Sequence, residues 1–409
     1  MKLHPLLVQA VTAALLEIFR EGRYADKVIA TVLRSNPKWG KRDRAFIAEN
    51  VYEVVRWYRR LQELAGMEAI ADGQLTVQQA DQLLGVNLIL KGISLPDWTA
   101  FEGLDAGLVL KRLAQLRESG ERRIVQSLPD WLDAACFGEL GARWAAEIEA
   151  LNQPAPVVLR VNTLKTDKSA LQSQLADQGW PSHETSLAPD ALVLERQGNV
   201  FETSLFKAGQ FEVQDAGSQC IAPFLQVEPG MRVIDACAGA GGKALHLAAL
   251  MKNKGSIIAL DTEERKLEEL RRRARRNGVH ILQTRPIDSS KVIKRLHGSA
   301  DRLLLDVPCS GLGVLRRNPD AKWKLSPAFM DSVRGTQAAI LRDYSRMLAP
   351  GGLMVYATCS ILPSENEAQV AAFLENYPAF ELLSSRNISP AEHQFDGFFM
   401  ALIRKNKDS

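Results

Sequence analysis

The 409-residue chain has little cysteine: five residues, dispersed, with no Cys-x-x-Cys pair among them. An odd, scattered set excludes a disulfide scaffold and a thiolate zinc site, so no metal is expected, and it suits a reducing compartment. No apolar run approaches the length of a membrane span. The apolar N-terminus "MKLHPLLVQAVTAALLEIFREG" is interrupted by Gln9, runs into Glu17 and Arg20, and offers no small-residue cleavage site. An amphipathic helix is expected there rather than a signal peptide, and the cytoplasm is the expected location. Repeats and low-complexity tracts are also missing.

What is present is a globular composition, 46% hydrophobic and 24% charged, in a chain long enough for two or three domains. The net charge is +3, yet residues 1–60 carry 12 Lys/Arg against 6 Asp/Glu. Much of that excess lies in "KWGKRDR" (residues 38–44) and "RWYRR" (residues 56–60), where Trp57 and Tyr58 interleave with arginines. Such a face attracts polyanions and can stack on bases. A solvated helix face with core aromatics accounts for the stretch equally well.

Residues 1–140 read as helical. In "RAFIAENVYEVVRWYRRL", Ile47, Val51, Val54, Val55 and Tyr58 recur at three- and four-residue spacing. The prolines of "NQPAPVVLRVNTLK" break that pattern, and residues 141–225 mix short strand and helix signals as a small α+β module. From 226 to 409 the signals alternate: "RVIDAC", "GSIIALD", "ADRLLLD", "LMVYATCS" and "FDGFFMALIRK" as strands, separated by helical segments such as "EERKLEELRRRARRNG". Alternation of this kind predicts a mainly parallel sheet covered by helices, with ligands at the carboxyl ends of the strands.

The turn Gly239-Ala240-Gly241-Gly242 follows "RVIDAC" and opens a helix, so its backbone can approach a ligand. It is not a P-loop, which would need Gly where Cys237 stands and Ser or Thr where Ala244 stands. Asp261 ends the next strand, where a carboxylate can accept both ribose hydroxyls of a nucleoside cofactor. Asp288 follows a plausible third strand and is placed to meet an adenine amino group. NAD and S-adenosylmethionine both fit these acids; no histidine ends a strand to relay a hydride.

Two cysteines then separate the cofactors. Cys309, in "DVPCSG", and Cys359, in "YATCS", each follow an apolar run. A buried cysteine is usually inert. A pair at equivalent strand ends beside a nucleoside-cofactor site points instead to covalent catalysis on an electrophilic base. Attack at C6 of a pyrimidine makes C5 carbanion-like and able to take a methyl group from a sulfonium; hydride transfer requires neither thiol.

These motifs, in order, resemble those of the RNA cytosine-C5 methyltransferases of the RsmB/Nop/Sun group: "DACAGAGGK", "DVPCSGLG" with "VLRRNPDAKW", and "YATCSILPSENE", with "RVNTLK" and "EVQDAGS" upstream. The resemblance covers roughly residues 155–405. More loosely, "GRYADKVIATVLRSNPKWGKRDRAFIAENVYEVVR" resembles a NusB-type helical RNA-binding domain. The resemblance implies a Rossmann-like class I methyltransferase core with a mainly parallel seven-stranded sheet (226–409), preceded by an RRM-like α+β module (141–225) and a NusB-like domain (1–140). It implies Cys359 as nucleophile, Cys309 as the residue that releases the product, Asp306 on the cytosine edge and Lys243 at the mouth of the site. Cys237, Ala238, Gly239, Ala240, Gly241, Gly242 and Lys243, with Asp261, Asp288 and Asp306, are implied to hold S-adenosyl-L-methionine. The family commonly has Ala-Pro at 239–240 and Thr at 244; the glycines and Lys243 remain, so binding is expected to be retained. The implied substrate is RNA, small-subunit ribosomal RNA ahead of transfer RNA, acted on by a monomer without a membrane. A methyltransferase-like assembly factor without turnover is the alternative class.

Overall fold

Two sheets organise the second part of the chain in a computed structural model that describes residues 3–70, 73–196 and 198–407. Strands β1 (Val158–Val161), β2 (Ser182–Glu184), β3 (Ala191–Leu194) and β4 (Phe211–Val213) form a small antiparallel sheet ordered β2-β3-β1-β4. Strands β5 (Arg232–Asp235), β6 (Ser256–Asp261), β7 (Leu282–Pro286), β8 (Ala300–Asp306), β9 (Leu348–Thr358), β10 (Phe380–Ile388) and β11 (Phe398–Lys405) form a seven-stranded sheet ordered β10-β11-β9-β8-β5-β6-β7. The five strands from β9 to β7 run parallel, while β11 and β10 are antiparallel at one edge. The expected mainly parallel, Rossmann-like core is therefore present.

The two-residue period of the strands explains the layering. Val233, Leu304 and Val355 face one apolar cluster; Ile234, Leu303, Leu305, Met354 and Tyr356 face the other. Helices Gly242–Leu250 and Glu264–Asn277 bury residues in the first cluster, and Pro327–Tyr344 and Glu367–Asn376 in the second. Each fully buried Leu, Ile or Val contributes about 1.5–3 kcal/mol. Helix Glu264–Asn277 ends at Gly278 in the left-handed conformation, as its sequence anticipates.

By contacts the chain divides into two compact units, one of residues Met1–Gln153 with Leu315–Ser326, the other of Pro154–Val314 with Pro327–Ser409. The first is helical. Its core is formed by Val11, Leu15, Ile47, Val51, Val54, Leu61, Leu83 and their neighbours. Residues 315–326 complete it: Trp323 packs edge-on to Tyr58 and donates from Nε1 to Val55 O at 2.7 Å, and the buried Lys322 ammonium donates to Arg56 O at 2.8 Å. Burial, with Arg56 nearby, pushes Lys322 well below the usual lysine value.

The stretch "RWYRR" is mostly interior. Arg56 and Tyr58 are 6% and 8% exposed, Tyr58 stacks on Phe19 at 3.9 Å, and Arg59 is held by Leu128 O and Asp130. Helix packing consumes those aromatics, so the interleaved pattern is core rather than a stacking surface. Arg44 is likewise spent, donating to Trp39 O and Leu33 O. Arg34, Lys38, Lys41 and Arg42 remain exposed.

Candidate active site

The carboxyl ends of β9, β8, β5 and β6 are neighbours in the sheet, and each runs into residues expected at the site. The order reverses between β5 and β8, because β6 and β7 continue to one side and β8 returns to the other. A crevice opens at such a switch point. Lys243, from the first turn of helix Gly242–Leu250, meets Asp306 at the end of β8 there, with Nζ to Oδ2 at 2.6 Å. Burial alone would lower the lysine, but the charge and hydrogen bond of Asp306, followed by Cys359 and Asp235, hold it above its ordinary value.

The two cysteines are brought together. Cys309 Sγ and Cys359 Sγ lie 3.2 Å apart, both partly accessible. The hydrogen bond to Cys359, reinforced by burial and by the Cys359 and Glu365 charges, pushes the Cys309 thiol well up. The loops are locked at the backbone as well. Gly313 N–H donates to Cys359 O at 2.9 Å, and a Cβ on Gly313 would sit 2.3 Å from Gly397 O and 2.7 Å from Cys359 O, leaving room for glycine alone.

The glycine turn is tied to Asp261. Asp261 Oδ2 accepts from Gly239 N–H and Oδ1 from Glu263 N–H, both at 2.8 Å, and each oxygen keeps a lone pair for another donor. Gly241 adopts φ +86°, and a Cβ there would meet Leu270 Cδ1 at 1.9 Å. At Gly239 nothing lies within 4 Å of an added Cβ, so a ligand can approach that backbone closely. Ala238 and Ala244 are buried in the apolar cluster below the turn, while Cys237 is raised well above an ordinary thiol by burial and by Asp235. Asp288 lies two residues past β7, is exposed, and makes one contact with Ser289 Oγ; the preceding Ile287 N–H donates to Asp261 O at 2.9 Å, which sets it beside that strand end.

Three groups received no role of their own from the sequence. Asp235 lies at the end of β5 and is 1% exposed, and among the described residues neither of its carboxylate oxygens has a hydrogen-bond partner within normal geometry. Arg160 and Glu212 of the small sheet brace the turn from behind. Arg160 donates to Gly242 O at 2.5 Å, and Glu212 accepts from Arg273 at 2.9 Å while Arg273 donates to Ala240 O at 2.7 Å. Glu365, wholly buried, accepts from residues of both cysteine loops. Charged residues inside a fold leave no periodic signal; a strand ending in Asp was the one hint for Asp235.

Burial, then repulsion by Asp306, raises Asp235 from 3.8 to about 7. Below 3.8 the carboxyl is protonated in folded and unfolded chains alike. Between pH 4 and 7 the unfolded chain releases its proton and the folded one does not, so stability falls as pH rises and the deficit is constant above 7. Asp235→Asn lacks that deficit. Its stability relative to the native chain is expected to grow from nothing at pH 4 to about 4 kcal/mol at pH 8. Thermal unfolding at pH 5 and pH 8 checks this: a gap in Tm that does not widen with pH means Asp235 ionises freely.

Sheet order, helical cover and strand-end crevice make this a Rossmann-like α/β fold of the kind methyltransferases share. A methyltransferase homolog protein from Pyrococcus horikoshii has the same fold over 72% of this chain and 98% of that one, with TM-score 0.60 and 31% identity. The structure of PH0851 matches 99% of this chain and 100% of that chain at TM-score 0.82 and 24% identity, which extends the shared fold over nearly the full length. The family model for 16S rRNA methyltransferase RsmB/F matches residues 222–404, and one for an RsmF/B-like ferredoxin-like domain matches 128–201. A probable ribosomal RNA small subunit methyltransferase B from Synechocystis is 31% identical over 95% of this chain and 97% of its own length; one from Vibrio vulnificus is 32% identical over 89% and 92%. The chain belongs to the RsmB/Nop/Sun family, and it is an RNA methyltransferase. S-adenosyl-L-methionine is its cofactor, and the open backbone at Gly239, the helix N-terminus at Gly242 and the spare lone pairs of Asp261 fit that molecule. Among the described residues no helix is long and apolar enough to cross a membrane, and no group of three or more His, Cys, Asp or Glu is arranged to hold a metal.

Proposed function

We propose that the chain methylates C5 of a cytosine in small-subunit ribosomal RNA through a covalent bond between Cys359 and C6 of the base. What supports this reading most directly is the pair of sulfurs 3.2 Å apart beside the Lys243–Asp306 ion pair. Cys359 attacks C6, and Asp306 hydrogen-bonds the ring edge to stabilise the charge that develops there. When bound, S-adenosyl-L-methionine supplies an electrophilic methyl group, which C5 takes. Loss of the C5 proton to a base then lets the C6–S bond break and returns the thiolate of Cys359. Cys309, next to Cys359, is the thiol that serves this release. Asp261 and Asp288 would hold the ribose and adenine, and the turn of residues 237–243 the remainder of the cofactor.

The protein acts as a cytoplasmic monomer in this reading, and the helical unit binds RNA through its exposed basic residues. Bisulfite sequencing of ribosomal and transfer RNA from a deletion strain tests the substrate: a cytosine that loses protection in small-subunit RNA supports it, and a loss confined to transfer RNA moves the target there. Neutralising Lys38, Lys41 and Arg42 together is expected to weaken RNA binding and to reduce the slope of log K against log salt by about 2, at about 0.7 per single-strand phosphate contact. Titrations at several salt concentrations read both; an unchanged slope makes this face ordinary solvated surface.

A further inference from the structure

Each reacting cysteine is followed by a serine, and both serines turn inward to the same carboxylate. Glu365 Oε1 accepts from Ser310 Oγ and from Ser360 Oγ, each at 2.5 Å, and Oε2 accepts from Ser310 N–H at 2.8 Å and Gln337 Nε2 at 3.1 Å. An ionised carboxylate has about four acceptor positions, and here four donors occupy them. Glu365 is 0% exposed, so this is a buried charge whose cost is offset by charge-assisted bonds. Gln337, on helix Pro327–Tyr344, also donates to Pro308 O at 2.9 Å, a second hold on the Cys309 loop. The carboxylate is itself fixed, because Tyr356 donates its hydroxyl to Glu365 O at 2.6 Å and Thr358 bonds to Asn366 Oδ1 at 2.5 Å. With Ser310 and Ser360 both bonded to Glu365, the sulfurs of the residues that precede them, Cys309 and Cys359, meet 3.2 Å apart.

We infer that Glu365 is a positioning residue that sets the spacing of the two thiols by holding Ser310 and Ser360 on a single carboxylate. The inference rests on the proposed roles of the thiols for its kinetic consequence, but the spacing itself is readable without any reaction. A trivalent organoarsenical such as phenylarsine oxide condenses with two adjacent thiols: two As–S bonds form, and the oxygen leaves as water with both thiol protons. Tight capture by the native protein should require both Cys309 and Cys359, with the double alanine variant giving the background of the other three cysteines.

Glu365→Gln keeps the shape of the side chain but sets an amide NH2 among donors. It is expected to slow arsenical capture and to lower kcat about tenfold each, while the KM for S-adenosyl-L-methionine stays within twofold. Glu365→Asp, which keeps the charge, should recover part of both. The serines divide the effect: Ser360→Ala should slow formation of the protein–RNA adduct, and Ser310→Ala should let the adduct accumulate. Should Glu365→Gln not fold, the two serine variants and their arsenical capture rates decide. Unchanged capture in folded variants overturns the inference, whether kcat is unchanged or falls together with cofactor affinity. If Cys359→Ala keeps full methylation, the proposed chemistry fails, and the capture experiment still decides the role of Glu365.

Discussion

Cys359→Ala is expected to abolish methyl transfer and to leave no protein–RNA adduct, whereas Cys309→Ala is expected to trap RNA on the protein. In the proposed mechanism, removing the Cys359 sulfur prevents the bond to C6, C5 is never activated, and the methyl group has no acceptor. Without Cys309, attack and transfer proceed, but the C5 proton leaves slowly and the methylated base stays attached through Cys359. The short distance between the sulfurs means that one base can be reached by both, one thiol at C6 and the other near C5. A denaturing gel after incubation with RNA and S-adenosyl-L-methionine should show a slow-migrating band for Cys309→Ala and none for Cys359→Ala or the double variant. An adduct in Cys359→Ala alone would exchange the two roles. Full activity in both variants would make the thiols structural.

Asp261→Ala is expected to weaken S-adenosyl-L-methionine binding by about 2 kcal/mol, roughly thirtyfold in Kd, the order of lost charge-assisted hydrogen bonds. Two effects act together. In the proposed site the ribose hydroxyls lose their acceptor, and Gly239 N–H loses the carboxylate that fixes the turn. Calorimetry on a variant with native circular dichroism measures it, and an unchanged Kd would remove Asp261 from the site.

The parts of the site that the sequence made legible are those where a local pattern and a function coincide. A glycine turn between a strand and a helix, an acid at the end of the next strand, and two Cys-Ser pairs after apolar runs are each contiguous, and the sheet had only to bring their ends together. Glu365 was not legible, because in "SENE" it reads as one more acid near a helix start; its partners Ser310 and Gln337 are 55 and 28 residues away. Arg160 and Glu212 were recognised as markers by resemblance, but their work on Ala240 and Gly242 depends on packing that no periodicity encodes. The stretch at 56–60 left two readings open, a stacking surface and a helix face with core aromatics, and only packing decides between them. Arginines flanking aromatics look like a surface, yet Arg56 donates to Arg316 O, 260 residues later, and is drawn inside. Strand β10 (Phe380–Ile388) also gave no sign, since most of its residues are exposed or partly so and its place at the sheet edge asks little of its side chains.

The contribution of residues 315–326 to the helical unit has a consequence for the order of events on the ribosome. Trp323, Lys322 and Asp320 bond to Val55, Arg56 and Ala25, yet they are synthesised long after residue 153. At 5–20 residues per second the wait is on the order of ten to thirty seconds. Throughout that interval the N-terminal helices lack the side chains that cap Tyr58 and satisfy the Val55 and Arg56 carbonyls. The unit whose sequence comes first is thus completed only when the strand that leads to Cys309 has already been made, and a fragment cut at residue 153 lacks a piece of its own core.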